Sequence, residues 1–182
     1  MPNKKFYILD EVISKNEVFK IYNILINTPT WSLSRASIIS DDMEGSINNF
    51  PGIVVEQEGQ IINPYLAGYF SCLTNQIKNM FQKENNFSLP NEVFRIHLGA
   101  KNDKSETLFH SDMQDSNSWT ILGFLTPVWK SEYGGQINIE GEEIEYLPGR
   151  FVVFKSSVLH NGGFVKKNNL DYWRISLNII LK

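Results

Sequence analysis

His110 and Asp112 stand on either side of a single serine in LFHSDM, residues 108–113. A neutral imidazole and a carboxylate are two of the side chains best suited to holding a divalent ion. In an extended strand, residues i and i+2 point to the same face, so the spacing predicts that the pair converges while Phe109 and Met113 turn the other way. With three histidines and seven aspartates in the chain, about 0.12 such triplets are expected by chance. The triplet therefore does not decide between a metal site and a strand with a polar, solvated face.

His160 follows fifty residues later, closing the apolar run SVLH in front of Asn161 and two glycines. A lone histidine there reads as one that closes a strand. With His110 and Asp112 it completes a set of two imidazoles and one carboxylate, which occupies one face of an octahedron and leaves three positions for substrates and oxygen. Such a set favours non-haem Fe(II), although zinc also accepts two histidines and a carboxylate, so the ligand types leave the metal open. Arg174 lies fourteen residues beyond His160, with Ser176 on the same face of the same strand. A planar guanidinium fork and a hydroxyl two residues on can together grip a carboxylate, which suits the far end of a dicarboxylic acid. His97, in FRIHLG, shares a strand face with Arg95, opposite Phe94, Ile96 and Leu98. It is either a further pocket group or a histidine on a solvated face.

The elements that must position these groups change character near residue 92. Ser14-Lys15-Asn16-Glu17 has the S-x-x-E form of a capping box, and Val18, Ile21, Ile24 and Leu25 follow at helical spacing, so a helix is expected over about 14–27. Pro29 stops it and Trp31 is expected to anchor the exit. Leu66, Phe70, Leu73, Ile77 and Phe81 form a second helical stripe ending before Pro90. Between the helices, residues 36–60 mix Ser, Asp, Gly and Asn around Phe50-Pro51-Gly52, with only the apolar patch Ile53–Val55. They read as a mobile excursion and a candidate lid over the substrate. From residue 92 the period becomes two, with strands expected over 92–98, 107–112, 118–126, 135–140, 143–147, 151–155, 157–161 and 171–181. In the last of these Trp173, Ile175, Leu177, Ile179 and Leu181 make one apolar face, and Tyr172, Arg174, Ser176 and Asn178 the other. One arrangement packs the apolar face under the helices and points Arg174 into a barrel mouth. The ordinary half-exposed strand is the alternative.

The expected fold is mostly β with flanking helices, a jelly-roll core over 92–182 backed by an N-terminal half over 1–91, in one domain over 1–182. At 182 residues and 21.0 kDa, the length suits one core. A net charge of −3 and a pI near 5.6 disfavour nucleic acid as a partner. No apolar run approaches a membrane span, and MPNKKFYILDEV lacks a signal-peptide h-region, so a cytoplasmic location is the default expectation. Cys72 is the only cysteine, which excludes an intramolecular disulfide and a thiolate cluster. It is expected on a helix as an inert, buried or half-buried thiol.

His110-Ser111-Asp112, His160 and Arg174-Ile175-Ser176 together resemble the Fe(II)- and 2-oxoglutarate-dependent dioxygenases, and among them the small prolyl-4-hydroxylase-like members. The family's pattern is H-x-D, a distal histidine and a basic residue on the last core strand of a double-stranded β-helix. WKSEYGGQINI (129–139) is similar to its W-(x)-GG-E-L stretch, EIEYLPGRFVVFKSSVLH to its approach to the distal histidine, and YILDEVISKNEV to its opening strand and helix. The resemblance implies His110, Asp112 and His160 as iron ligands, and Arg174, assisted by Ser176, as the partner of the 2-oxoglutarate C5 carboxylate. It places His97 where a tyrosine often meets the cosubstrate. It further implies O2 as co-reactant, with ascorbate open as an auxiliary, and hydroxylation of a C–H bond on a peptide, free amino acid or other small molecule. Two departures stand out. Collagen-type prolyl hydroxylases carry lysine at the position of Arg174. The usual distance from distal histidine to basic residue is nearer ten than fourteen, and the polar loop Gly162 to Asn169 can absorb the excess. Trp129 and Trp173 are expected to pack rather than to touch substrate.

A cupin-like jelly roll that holds a metal or another ligand without 2-oxoglutarate chemistry is the rival reading; it leaves Arg174 and Ser176 without a task. A metal-free structural jelly roll leaves the histidine-carboxylate set unexplained as well. The residues do not fix the oligomeric state.

Overall fold

The computed structural model describes residues 4–35, 49–105, 108–166 and 172–182. Strand β1 (Phe6–Leu9) leads into helix α1 (Lys15–Ile26). The capping box forms at its start: the Glu17 N–H donates to Ser14 Oγ at 3.2 Å, and the Ser14 N–H donates to the Glu17 carboxylate at 2.8 Å. Val18, Ile21, Tyr22 and Leu25 are buried, whereas Ile24 faces outward. The Trp31 indole N–H donates to the Leu25 carbonyl at 2.7 Å and so fixes the chain leaving the helix. Strands β2 (Ser32–Arg35), β3 (Asn49–Gln57) and β4 (Gln60–Ile61) follow, then helix α2 (Pro64–Asn85). Asn63 caps α2, Pro64 takes its first position, and Asn86 ends it in a left-handed conformation with φ 59°. The whole stripe Leu66, Phe70, Leu73, Ile77 and Phe81 is buried. No helix among the described residues is long and apolar enough to cross a membrane.

The remaining strands are β5 (Val93–Lys101), β6 (Trp119–Phe124), β7 (Ile137–Ile139), β8 (Glu142–Ile144), β9 (Phe151–Lys155), β10 (His160–Gly162) and β11 (Arg174–Leu181). They make a mostly β fold of two antiparallel sheets, the expected jelly roll. The eight-stranded sheet runs β1-β9-β6-β11-β5-β3-β2, with β4 on β3, and the three-stranded sheet runs β10-β7-β8. Two apolar clusters follow from the period of two. Ile96, Leu98, Ile121, Val153, Ile175, Leu177 and Ile179 pack with α1 and α2 on one side of the large sheet. Leu122, Phe124, Val152 and Phe154 meet Trp129, Ile137, Ile139 and Tyr146 on the other. The apolar face of β11 thus lies under the helices, and its polar face looks between the sheets.

Several expectations need correction. The excursion over 36–60 is a strand over its second part: β3 pairs with β5 on one side and with β2 on the other, and buries Phe50, Ile53 and Val55. Phe50-Pro51-Gly52 reads locally as a turn, but the tertiary pairing overrides it, because Gly52 sits opposite Gly99 and the Phe50 ring lies where a Cβ on Gly99 would be, 2.7 Å away. Residues 36–48, the rest of the candidate lid, lie outside the described residues. His110 belongs to no regular strand. It forms an isolated antiparallel bridge with His160, two backbone hydrogen bonds of 3.0 and 2.9 Å, and the Asp112 N–H turns to the Ser156 carbonyl at 2.9 Å. Gly162 lies in β10 rather than in a loop, and 167–169 lie outside the described residues. Trp173 precedes β11 and is 37% exposed, so it does not belong to the apolar face, whereas Trp129 is buried with its N–H on the Gly134 carbonyl at 2.8 Å. Cys72 is on α2 and exposed.

Candidate metal and anion site

The bridge between His110 and His160 brings two distant segments side by side, with ring centroids 4.4 Å apart. Each imidazole is aimed by the same local device. His110 Nδ1 lies 3.0 Å from the Leu108 carbonyl and His160 Nδ1 lies 3.0 Å from the Val158 carbonyl, two residues back in each case. A carbonyl only accepts, so each Nδ1 carries a proton and each Nε2 is the ring nitrogen left to meet a ligand. Burial, the leading influence, lowers the pKa of His160 from its ordinary value, which keeps it neutral near pH 7.

Asp112 completes the group, its side chain 3% exposed. His110 Nε2 is 4.0 Å from Oδ1 and His160 Nε2 is 3.7 Å from Oδ2. The potential ligand atoms of all three residues lie within 4.8 Å of one another. Ligand bonds of about 2.0–2.2 Å would draw such a set around one ion with small side-chain adjustments. The carboxylate is held from three adjacent strands. Oδ2 accepts from Thr120 Oγ1 of β6 at 2.8 Å and from Asn178 Nδ2 of β11 at 3.1 Å, and Oδ1 faces Arg95 Nη2 of β5 at 3.4 Å. Burial, the largest single influence, pushes the Asp112 carboxyl up. His160, Arg95, His110 and the Thr120 hydroxyl together outweigh it, and the group stays ionised below its ordinary value. The donor set therefore fits a divalent cation, with two imidazoles, one charged carboxylate and the outer hydrogen bonds that fix ligand orientation.

Arg174 lies on the same cavity and is 2% exposed. Its Nε donates to the Gly135 carbonyl at 2.7 Å, and its guanidinium carbon stands 4.9 Å from the Tyr146 ring centroid and 5.7 Å from that of Phe124. Glycine is required at 135: φ is +76°, and a Cβ there would come 2.8 Å from Arg174 Cδ. Nη2 is buried and makes no hydrogen bond. An unpaired guanidinium nitrogen away from water is costly, and an anionic ligand would relieve that cost. Ser176 and His97 line the same cavity. His97 is buried at 8% exposure, not on a solvated face, and burial, aided by Arg95, pushes its pKa down to about 4, so it is neutral at pH 7.

All six expected site residues thus meet around one cavity. Four others were not given roles by the sequence reading: Arg95, Thr120 and Asn178 around Asp112, and Lys101 near Arg174. Arg95 and Asn178 were on the correct strand faces. The available signal for Lys101 was the same alternation, since it follows Arg95, His97 and Gly99 at intervals of two.

No family model matches the sequence, and no curated protein matches it. Solved structures do. A Pseudomonas putida prolyl-4-hydroxylase aligns over 99% of this chain and 93% of its own at 16% identity, TM-score 0.65. A 2OG-Fe(II) oxygenase family oxidoreductase from Burkholderia pseudomallei aligns over 97% and 84% at 14% identity, TM-score 0.72. A prolyl hydroxylase from Trichoplax adhaerens, in complex with a hypoxia inducible factor peptide fragment, aligns over 98% and 83% at 16% identity, TM-score 0.67. At such identities the likeness establishes the fold, the double-stranded β-helix of 2-oxoglutarate oxygenases, along nearly the whole chain.

Proposed function

We propose that this chain is an Fe(II)- and 2-oxoglutarate-dependent dioxygenase that hydroxylates an unactivated C–H bond. The observation that carries the reading is the buried, unpaired Arg174 Nη2 on the same cavity as the His110, Asp112 and His160 ligand atoms. A plain metal-binding jelly roll has no use for that guanidinium, whereas a chelating 2-oxo diacid needs both features. His110, Asp112 and His160 would hold the iron, and Arg174 with Ser176 would hold the C5 carboxylate. When bound with 2-oxoglutarate and O2, the iron supplies oxidative decarboxylation to succinate and carbon dioxide together with oxygen insertion into a substrate C–H bond.

The protein's own contribution is positional. The two Nδ1–H groups lock the imidazoles with Nε2 inward. Thr120, Asn178 and Arg95 hold the Asp112 carboxylate ionised and oriented. Gly135, Tyr146 and Phe124 fix the guanidinium fork, which sets the direction from which a diacid enters. Leu122 and Ile137 give the same cavity part of its apolar wall. We place the prime substrate among peptides and small molecules of amino-acid type, in keeping with the peptide bound by the Trichoplax relative.

Anaerobic titration tests the proposal. Fe(II) plus 2-oxoglutarate should produce a weak visible charge-transfer band, and admission of O2 should convert 2-oxoglutarate to succinate, faster when a substrate from an amino-acid and peptide panel is present. Iron binding without the band would turn the reading toward the cupin-like module, and absence of iron binding toward a structural jelly roll.

A further inference from the structure

Lys101 closes β5 directly opposite Arg174 on β11, their Cα atoms paired in the register. Ile96, Leu98 and Ala100 alternate into the apolar cluster under the helices, so Arg95, His97, Gly99 and Lys101 share the cavity face with Arg174. Lys101 is 9% exposed. Like charges opposite one another on a sheet are unfavourable, and burial makes them more so. Burial, followed by the charge of Arg174, pushes the Lys101 pKa down to about 7. Asp112, the only carboxylate on the cavity among the described residues, is engaged by Arg95, Thr120 and Asn178. Among the described residues the ammonium has only the Phe50 ring, 4.9 Å from Nζ to the centroid.

A buried guanidinium with a nitrogen lacking any acceptor and a buried lysine thus face one cavity, and among the described residues neither has a carboxylate partner. A carboxylate has lone pairs enough to accept from both. Resting on the dioxygenase reading above, we propose that Lys101 is a second cation for the distal carboxylate of the cosubstrate, closing with Arg174 a two-cation clamp that selects a 2-oxo diacid over a 2-oxo monoacid. A monoacid satisfies the metal through its 2-oxo acid head and leaves both cations unmatched. A diacid neutralises them and removes the repulsion across the strand pair. Phe50 completes the clamp with its ring 4.9 Å from Lys101 Nζ, a position open to it because residue 99 is glycine.

Calorimetric titration of the Mn(II)-loaded protein without oxygen tests the clamp, with 2-oxoglutarate and 2-oxobutyrate as probes. Lys101→Met is expected to weaken 2-oxoglutarate binding by about tenfold to a hundredfold, the range for a hydrogen bond to a charged group. Mn(II) and 2-oxobutyrate affinities should stay within about twofold of wild type. Lys101→Gln serves as a second variant should the methionine disturb folding, which the Mn(II) stoichiometry reports. Unchanged 2-oxoglutarate affinity in the variant, or an equal loss for both acids, overturns the clamp while the dioxygenase reading stands. A wild-type protein that binds Mn(II) but no 2-oxoglutarate overturns both.

Discussion

Strands β5 and β11 lie side by side and carry two faces that both bury side chains and behave in opposite ways. Under the helices, Ile96, Leu98, Ile175, Leu177 and Ile179 are at most 1% exposed, and every buried atom there leaves water for an apolar neighbour. Between the sheets, Arg174 is 2%, His97 8% and Lys101 9% exposed, and burial opposes the charged form of all three. The first face contributes about 25 cal/mol per Å² of apolar area removed from water. The second contains a guanidinium nitrogen with no partner and a lysine facing an arginine. The difference shows that the apolar side holds the sheet in a shape in which the polar side keeps charge that the described residues leave incompletely matched.

The largest effect expected on the polar face is that of Asp112→Ala. It removes the Asp112 carboxylate from Arg95 and the two imidazoles, so stoichiometric Mn(II) or Fe(II) binding should vanish from a calorimetric titration. Retained tight binding would mean that these residues are not the metal site. On the apolar face, Leu177→Ala should cost about 2–5 kcal/mol in denaturant unfolding. The 2-oxoglutarate affinity of the folded, metal-loaded variant should hardly change. A large loss of affinity there would show that the two faces are not separable.

Acid sharpens the contrast. An unfolded histidine takes up its proton near pH 6.5, and folded His97 does so only near 4, so the unfolded state binds more protons between these values. Stability of the metal-free protein should therefore be full above about pH 6.5 and fall toward pH 4, by on the order of 3 kcal/mol from this residue. His160 shifts in the same direction. Unfolding curves in chelator across this range check the point, and His97→Leu should flatten the slope; an equally steep slope in the variant would remove His97 as its source. The smallest change in stability belongs to Arg174→Met. Loss of the hydrogen bond to Gly135 is offset by removal of a buried, incompletely paired charge, so stability should shift by less than about 1 kcal/mol. The affinity for 2-oxoglutarate should fall steeply. A destabilisation as large as that of Leu177→Ala would erase the distinction between the faces.

The histidine-x-aspartate spacing conveyed the convergence of His110 and Asp112, although the strand expected to produce it is absent. What keeps them together is the bridge to His160 and the Asp112 N–H on Ser156, both contacts across more than forty residues. The polar face of β11 was legible because alternation is local, and it put Arg174, Ser176 and Asn178 together. The role of Asn178 was not legible, because its partner Asp112 lies outside any strand. Strand β3 was the poorest reading: Phe50-Pro51-Gly52 carries turn chemistry, and only the glycine-to-glycine approach to β5 turns it into a strand whose Phe50 stands beside Lys101.

The sequence by itself determined which side chains share a face, where the helices begin and end, and that two imidazoles, one carboxylate and one guanidinium were present to do chemistry. Those features depend on neighbours one to four residues away, which the order of amino acids states directly. The tertiary structure decided which faces look at one another, because the strand order places β6, β11 and β5 in a row, and that row brings Thr120, Asn178 and Arg95 onto one carboxylate and Lys101 opposite Arg174. Such contacts form where sheet pairing and packing of the apolar face under the helices bring distant segments together, which no local pattern encodes.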